Sequence, residues 1–291
     1  MGGILTYQHE DGMNYARIID GLIVGSCLQT PADLDKLADE EGVRSIVCLQ
    51  EDSDMAYFNL DVAPIQARAA ERGVEHCRLR IRDFDPFDLR LRLPEAVALV
   101  ARQAQRGTVY IHCTAGLGRA PATALAYMYW CRGMALGDAI STFMAVRPCN
   151  PRIAAIRAAT ADVLLEGGRR MPVTIAVYRP FTASRFQVAG LDVGWGQQLD
   201  MEREVGSGRW VLRRELPPGK FPYKLIVDGR WTCSADHPTF MDGETLNNYV
   251  EVAGDCSDPG AAAVRARLLS EEAPLTDTER ARLEQRFGVR G

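Results

Sequence analysis

The densest chemistry in the chain lies in His112-Cys113-Thr114-Ala115-Gly116-Leu117-Gly118-Arg119, where a cysteine precedes an arginine by six positions with small residues between them. That spacing wraps a loop around a tetrahedral anion. Successive backbone N–H groups point inward, a following helix presents its N-terminus, and Arg119 offers a planar, two-pronged contact to two oxygens. The same donors favour a thiolate at Cys113, which makes it a nucleophile toward phosphorus. Thr114, Ala115, Gly116, Leu117 and Gly118 are therefore the expected phosphate-binding loop, with Gly116 and Gly118 allowing close approach of the backbone. An arbitrary cysteine and arginine at this spacing would be a buried strand end beside a surface charge. Here the strand, the histidine, the glycines and the helix all agree with the anion-binding reading.

Thiolate attack on a phosphate ester expels an oxygen that needs a proton, because an alkoxide is a poor leaving group. Ile81-Arg82-Asp83-Phe84-Asp85-Pro86-Phe87-Asp88 is dense in acids and aromatics. Asp83, thirty residues before the cysteine, is the favoured donor. Asp85 and Asp88 compete for the role, and one of them is expected to cap the helix that starts near Leu89.

The elements that must position these residues alternate strand-like apolar runs with amphipathic stretches over residues 18–165, the pattern of an α/β domain with a mostly parallel sheet. Thr30 and Pro31 open a helix that Gly42 closes, ahead of a strand over 45–49. A second strand, 109–112, runs into the glycine-bearing loop and then a helix from about Ala120. Cys48 ends the first of these strands, so its sulfur and that of Cys113 are expected at the same sheet edge, where oxidation could join them in a reversible, silencing disulfide. The plain alternative is a small core residue.

After Glu166–Pro172 the pattern changes to short strands separated by turn residues, read as a small β-sandwich over 171–253. Trp210 alternates with Leu212 inside a strand and belongs to the core. Trp195 is expected in a loop and Trp231 at a hairpin end beyond Asp228-Gly229, where both indoles could stack on the flat faces of sugars while Lys224, Asn247 and Asn248 bond hydroxyls. The tail, 254–291, returns to helix, with Thr276 and Glu279 forming a capping box, and is expected to pack on the body.

With 291 residues, two cores are expected. A net charge of -4 gives no basis for nucleic-acid binding. No apolar run suggests a membrane span, and no targeting peptide is visible. Cys27, Cys48, Cys77, Cys113, Cys131, Cys149, Cys233 and Cys256 show neither metal-site spacing nor the density of a disulfide scaffold, so neither a metal nor a cofactor is expected.

His112 to Arg119 with Ala120-Pro121, together with Arg82-Asp83-Phe84-Asp85, resembles the active site of dual-specificity phosphatases. The form Cys-Thr-Ala-Gly-Leu-Gly-Arg resembles their glucan-phosphatase subset, which includes laforin and the plant starch-excess-four group, and likeness to the latter runs from Gly12-Met13-Asn14-Tyr15 to the tail. The resemblance implies a phosphatase domain over 1–165, an Ig-like carbohydrate-binding module over 171–253 and a helical tail over 254–291. It makes Cys113 the nucleophile, Arg119 the phosphate clamp and Asp83 the general acid. It also implies an aromatic channel of Tyr57, Phe58 and Phe84, phosphorylated α-glucan (starch and its amylopectin) as the partner, and a chloroplast location. The second domain resembles the module of starch-branching enzymes and of the AMP-activated kinase β subunit, with Trp195, Lys224, Trp231, Asn247 and Asn248 on its ligand positions. Two departures stand out. Ala120 replaces the hydroxyl residue that many of these phosphatases carry there, which implies slow hydrolysis of the phosphoenzyme, and Asn150 stands where an aromatic would extend the channel.

Overall fold

The computed structural model describes residues 7–165, 170–178, 183–253, 259–270 and 274–287. Most of the expected link between the domains, 166–169, lies outside them. The chain divides into two compact units: Met1–Asp83, Leu89–Thr160 and Glu271–Gly291 form the first, Phe84–Asp88 and Ala161–Ser270 the second.

In chain order the first stretch contains β1 (Tyr15–Ile19), β2 (Leu22–Gly25), α1 (Pro31–Glu40), β3 (Val43–Cys48), α2 (Asp52–Tyr57), α3 (Ala63–Glu71), β4 (Glu75–Arg78), α4 (Pro86–Ala104), β5 (Thr108–His112), α5 (Arg119–Cys131), α6 (Leu136–Val146) and α7 (Ile153–Leu164). The sheet order is β1-β2-β5-β3-β4, with only the β1–β2 pair antiparallel. β5 lies at the centre because its Val109, Tyr110 and Ile111 are apolar on both faces, as a covered parallel strand must be. Thr30 and Asp33 cap α1 reciprocally, as the sequence predicts, and Gly42 takes φ +65° in the turn into β3. α5 is buried on every side, from Arg119 to Trp130, and packs against β2, β5, α6 and the C-terminal helix.

The second unit contains β6 (Met171–Tyr178), β7 (Phe186–Gly190), β8 (Gly194–Asp200), β9 (Glu202–Arg203), β10 (Arg209–Leu216), β11 (Gly219–Val227), β12 (Arg230–Thr232), β13 (Thr239–Asp242) and β14 (Thr245–Val252). They form a β6-β10-β9 sheet and a β13-β14-β11-β7-β8 sheet with β12 added to β11. One core joins the two sheets, Ile175, Val177 and Leu216 from the smaller and Phe186, Val188, Phe221, Tyr223 and Leu225 from the larger. Trp210 stacks on Phe186 at 5.0 Å and packs against this core, the structural role expected of it.

The boundaries differ from the expected ones in three ways, the first being that the second unit begins at Ala161, inside α7, rather than at 171. The tail does not act as one piece. Helix α8 (Pro259–Leu269) belongs to the second unit, where Arg265 pairs with Asp162 at 2.8 Å. Helix α9 (Asp277–Phe287) belongs to the first, with Phe287 stacked on Trp130 at 5.1 Å and Arg280 bonded to the Gly133 carbonyl. The Thr276–Glu279 capping box that starts α9 is formed in both directions. Residues 84–88, from the acid-rich loop, also group with the second unit, because Phe87 is a member of the sandwich core and meets Phe221 at 5.4 Å. No periodicity argument reaches such a contact across more than a hundred residues of chain.

Candidate active site

Cys113 follows directly on β5 and is 3% exposed. The loop from Cys113 to Gly118 ends at the N-terminus of α5. Every carbonyl of this loop has a partner on its outer side. His112 Nδ1 lies 3.1 Å from the Cys113 oxygen, the Cys27 N–H donates to Thr114 at 2.9 Å, Arg147 donates to Ala115 and Gly116, the Asn150 N–H donates to Leu117 at 2.9 Å, and the Ala122 N–H to Gly118 at 3.0 Å. In a planar trans peptide the C=O and the next N–H point in opposite directions, so carbonyls held outward leave N–H groups converging inward. Gly116 takes φ +68°, and a Cβ there would lie 2.3 Å from the Gly25 oxygen, which makes glycine obligatory at that position.

Arg119 is 3% exposed and fixed from several sides. Nη1 donates to Asp54 at 2.6 Å and to the Ile81 carbonyl at 2.9 Å, while Nη2 donates to Thr114 Oγ1 at 3.3 Å and pairs with Asp83 at 3.0 Å. Nε is buried and has no partner among the described residues. A buried N–H left unpaired is uncommon and invites a ligand oxygen. The expected nucleophile, clamp and acid are thus brought together, with Asp83 held directly on Arg119. Asp54, on α2, was not singled out by the sequence. It sits among acids at the start of a short helix, and only the fold aims it at Arg119.

Geometry separates Asp83 from Asp85. Asp85 is 4% exposed, and its Oδ1 accepts from the N–H groups of Phe87 and Asp88, both at 3.0 Å. It caps α4, which starts at Pro86 rather than near Leu89. Phe84, next to Asp83, takes φ +53° and is 77% exposed. A left-handed backbone at an exposed aromatic costs free energy and recurs at functional sites.

The other expected channel residues divide. Tyr57 is 81% exposed. Phe58 is half-buried with His9 stacked on it at 4.4 Å, so one of its faces is already taken, a contact that the sequence does not reveal. Asn150 is exposed, with its N–H tied to the phosphate loop. Ala120 is fully buried at the start of α5.

His112 is fully surrounded, and burial pushes its imidazole down to about 4. The neutral ring serves the Cys113 carbonyl through Nδ1, and Nε2 has no partner among the described residues. Because the folded value lies below the unfolded one, this histidine's contribution is complete above about pH 6.5 and is lost as pH falls from there toward 4. Acidification from pH 7 to 5 should cost about 2 kcal/mol through this group, measured by urea unfolding. His112→Asn should flatten that slope, and an unchanged slope would assign it to other groups.

Cys48 is buried at the end of β3, paired in register with His112 of β5, and burial pushes its thiol up. Cys27 flanks the loop from the other side, through its N–H to Thr114, and its thiol is pushed up to about 11 by burial. Cys27, Cys48 and Cys113 are all free thiols.

On the sandwich, strand register sorts the expected sugar ligands. Asn248 pairs with Tyr223, a core residue, and so faces inward. It is fully buried, with Oδ1 accepting from the Ser234 N–H at 2.8 Å and Nδ2 donating to the Ser234 carbonyl at 2.9 Å. The expectation that Asn248 bonds a sugar is therefore corrected: its amide holds the 234–238 turn. Its neighbour Asn247 faces the other way, toward the side that carries Lys224, and Trp231 shares that side through its pairing with Ile226. Asn247 Oδ1 is buried and has no partner among the described residues, and Trp231 is 48% exposed. Trp195 lies in strand β8 rather than a loop, half-buried, beside Gly194 where the β7–β8 register shifts.

Two family models match the chain: the catalytic domain of dual specificity phosphatases over residues 44–158, and the glycogen recognition site of AMP-activated protein kinase over 173–258. The phosphoglucan phosphatase DSP4, amyloplastic, of Castanea sativa is 44% identical over 98% of this chain and 76% of its own length. The phosphoglucan phosphatase LSF1, chloroplastic, of Arabidopsis thaliana is 30% identical over 97% of this chain, which spans about half (49%) of that protein. Among solved structures, that of PTPMT1 matches 50% of this chain and 91% of its own, with a TM-score of 0.43 and 23% identity. A dual-specificity catalytic domain and a glycogen-recognition domain in one chain, with 44% identity extending across both, place this protein in the phosphoglucan phosphatase family.

Proposed function

We propose that this chain removes phosphate monoesters from starch-type α-glucan, amylopectin included, through a cysteinyl-phosphate intermediate. The observation that carries the reading is Arg119, buried, oriented by Asp54 and Ile81, and keeping an unpaired Nε beside a loop whose carbonyls all turn outward. In the first step the Cys113 thiolate forms a bond to phosphorus, the P–O bond to the sugar breaks, and Asp83 transfers its proton to the departing oxygen. The loop N–H groups and Arg119 stabilise the charge on the equatorial oxygens. In the second, water attacks the phosphocysteine, the S–P bond breaks, and the Asp83 carboxylate takes the proton. With Ala120 in place of a hydroxyl residue, this second step receives no hydroxyl assistance from that position.

Tyr57 and Phe84 are each exposed and suited to stacking on a sugar ring, and on the sandwich Trp231 shares a sheet face with Lys224 and Asn247. The names of the relatives are amyloplastic and chloroplastic, which makes a plastid the proposed compartment. Phosphate release from solubilised phosphoglucan should exceed that from a phosphopeptide under equal conditions; the reverse order would reject glucan as the substrate.

A module on the same chain raises the local concentration of glucan phosphate at Cys113. Replacing Trp195 and Trp231 together with Ala should cut release from glucan by about tenfold or more while leaving a small aryl phosphate close to wild type. Equal loss of both activities in a folded protein would make the tryptophans supports of the fold rather than sugar ligands.

A further inference from the structure

Arg147 stands at the C-terminal cap of α6, thirty-four residues after the nucleophile, and is 2% exposed. Its Nε donates to the Gly116 carbonyl at 3.1 Å and its Nη2 to the Ala115 carbonyl at 3.2 Å. Nη2 also donates to Asn14 Oδ1 at 2.6 Å. All three acceptors are neutral oxygens, so none of these bonds cancels the guanidinium charge. Burial pushes the Arg147 guanidinium down; Tyr110, Cys113 and Cys149, the titratable groups it interacts with, favour its charged form.

Two of the outward-turned carbonyls of the phosphate loop therefore owe their direction to one side chain. Holding the Ala115 and Gly116 oxygens outward aims the N–H groups of Gly116 and Leu117 at the phosphate position. A Cβ on Gly116 would come within 2.8 Å of Arg147 Nη2, so the guanidinium and the loop are in direct apposition. The orientation of Arg147 is fixed in turn by the segment before β1. The Asn14 N–H donates to Ser26 Oγ at 2.9 Å, the Ser26 N–H returns a bond to the Asn14 carbonyl at 2.9 Å, and Tyr110 donates to the Ser26 carbonyl at 2.7 Å. The chain thus runs from Tyr110 in the central strand through Ser26 and Asn14 to Arg147, and ends on the loop.

We propose that Arg147 is a positioning residue of the phosphate loop, which aims two of its N–H donors and places an un-neutralised positive charge behind it, and that Asn14 sets the orientation of Arg147. The role rests on the reading that 113–119 bind the phosphate of the substrate. Charge and geometry can be separated, because lysine keeps the charge but lacks the fork that reaches two carbonyls at once.

The test uses the full chain with Arg147→Met, Arg147→Lys and Asn14→Ala. It reads the dissociation constant of inorganic phosphate, kcat and KM for an aryl phosphate across pH 4.5 to 8, and the melting temperature. Arg147→Met should weaken phosphate binding and lower kcat/KM by about tenfold or more each, with the acid limb of the pH profile moved to higher pH. Arg147→Lys should restore the acid limb but not the phosphate affinity, and Asn14→Ala should weaken phosphate binding in the same direction by less. The proposal is overturned if Arg147→Met and Asn14→Ala lower only the melting temperature, leaving phosphate affinity and the acid limb within about twofold of wild type. Should Arg147→Met fail to fold, unchanged phosphate affinity in both Asn14→Ala and Arg147→Lys would overturn it equally. Wild-type protein that neither binds phosphate nor turns over the aryl ester would instead refute the phosphatase reading itself.

Discussion

Cys113→Ser is expected to lower turnover of both phosphoglucan and a small aryl phosphate by at least about 10⁴-fold, because a serine hydroxyl at this position has no base within the loop to ionise it. Phosphate and glucan binding should survive. The outward-turned carbonyls, Arg119 and its anchors Asp54 and Ile81 are untouched by the exchange of sulfur for oxygen. The variant should therefore hold substrate without releasing phosphate, and it should fail to form a phosphocysteine detectable by mass spectrometry of acid-quenched enzyme. Appreciable turnover of the aryl phosphate by Cys113→Ser would reject the covalent mechanism.

The second large effect is selective. Asp83→Ala should slow release from phosphoglucan by about 10²- to 10⁴-fold, while an aryl phosphate whose leaving group needs little protonation loses only a few-fold. The selectivity is the diagnostic, since Asp83 also pairs with Arg119 at 3.0 Å and its removal affects phosphate affinity for both substrates alike. The uniform part should appear in KM for either ester and the leaving-group part in kcat for glucan alone. Asp85→Asn is the control. Its carboxylate caps α4, so the change should cost about 1 kcal/mol of stability or less without discriminating between esters. A larger selective loss from Asp85→Asn than from Asp83→Ala would transfer the acid role.

The sequence alone determined the parts whose physics is local. A strand, a small-residue loop, an arginine and a helix follow one another without interruption, so the β5–loop–α5 order around Cys113 to Arg119 was legible in the chain itself. The same holds for the caps at Thr30 and Thr276, which depend on residues three positions apart. Alternation in the strands was enough to find the sandwich and to set Trp210 against its core.

Tertiary structure decided whatever depends on contacts distant in sequence. Asn247 and Asn248 are chemically identical and adjacent, and only the pairing of β14 with β11 sends one toward Lys224 and the other into the 234–238 turn. The sequence favoured Asp83 but left Asp85 and Asp88 as rivals, because the distinction lies in which acid meets Arg119 and which meets the first N–H groups of α4. Phe58 looked as free as Tyr57 until His9 was found stacked on it. Arg147 and Asp54 carry no motif of their own. A buried guanidinium aimed at two loop carbonyls, or a carboxylate aimed at a clamp sixty-five residues away, exists only once the sheet has set β2, β5 and β3 side by side and Asp54 and Arg147 have come within hydrogen-bond reach of Arg119 and the loop.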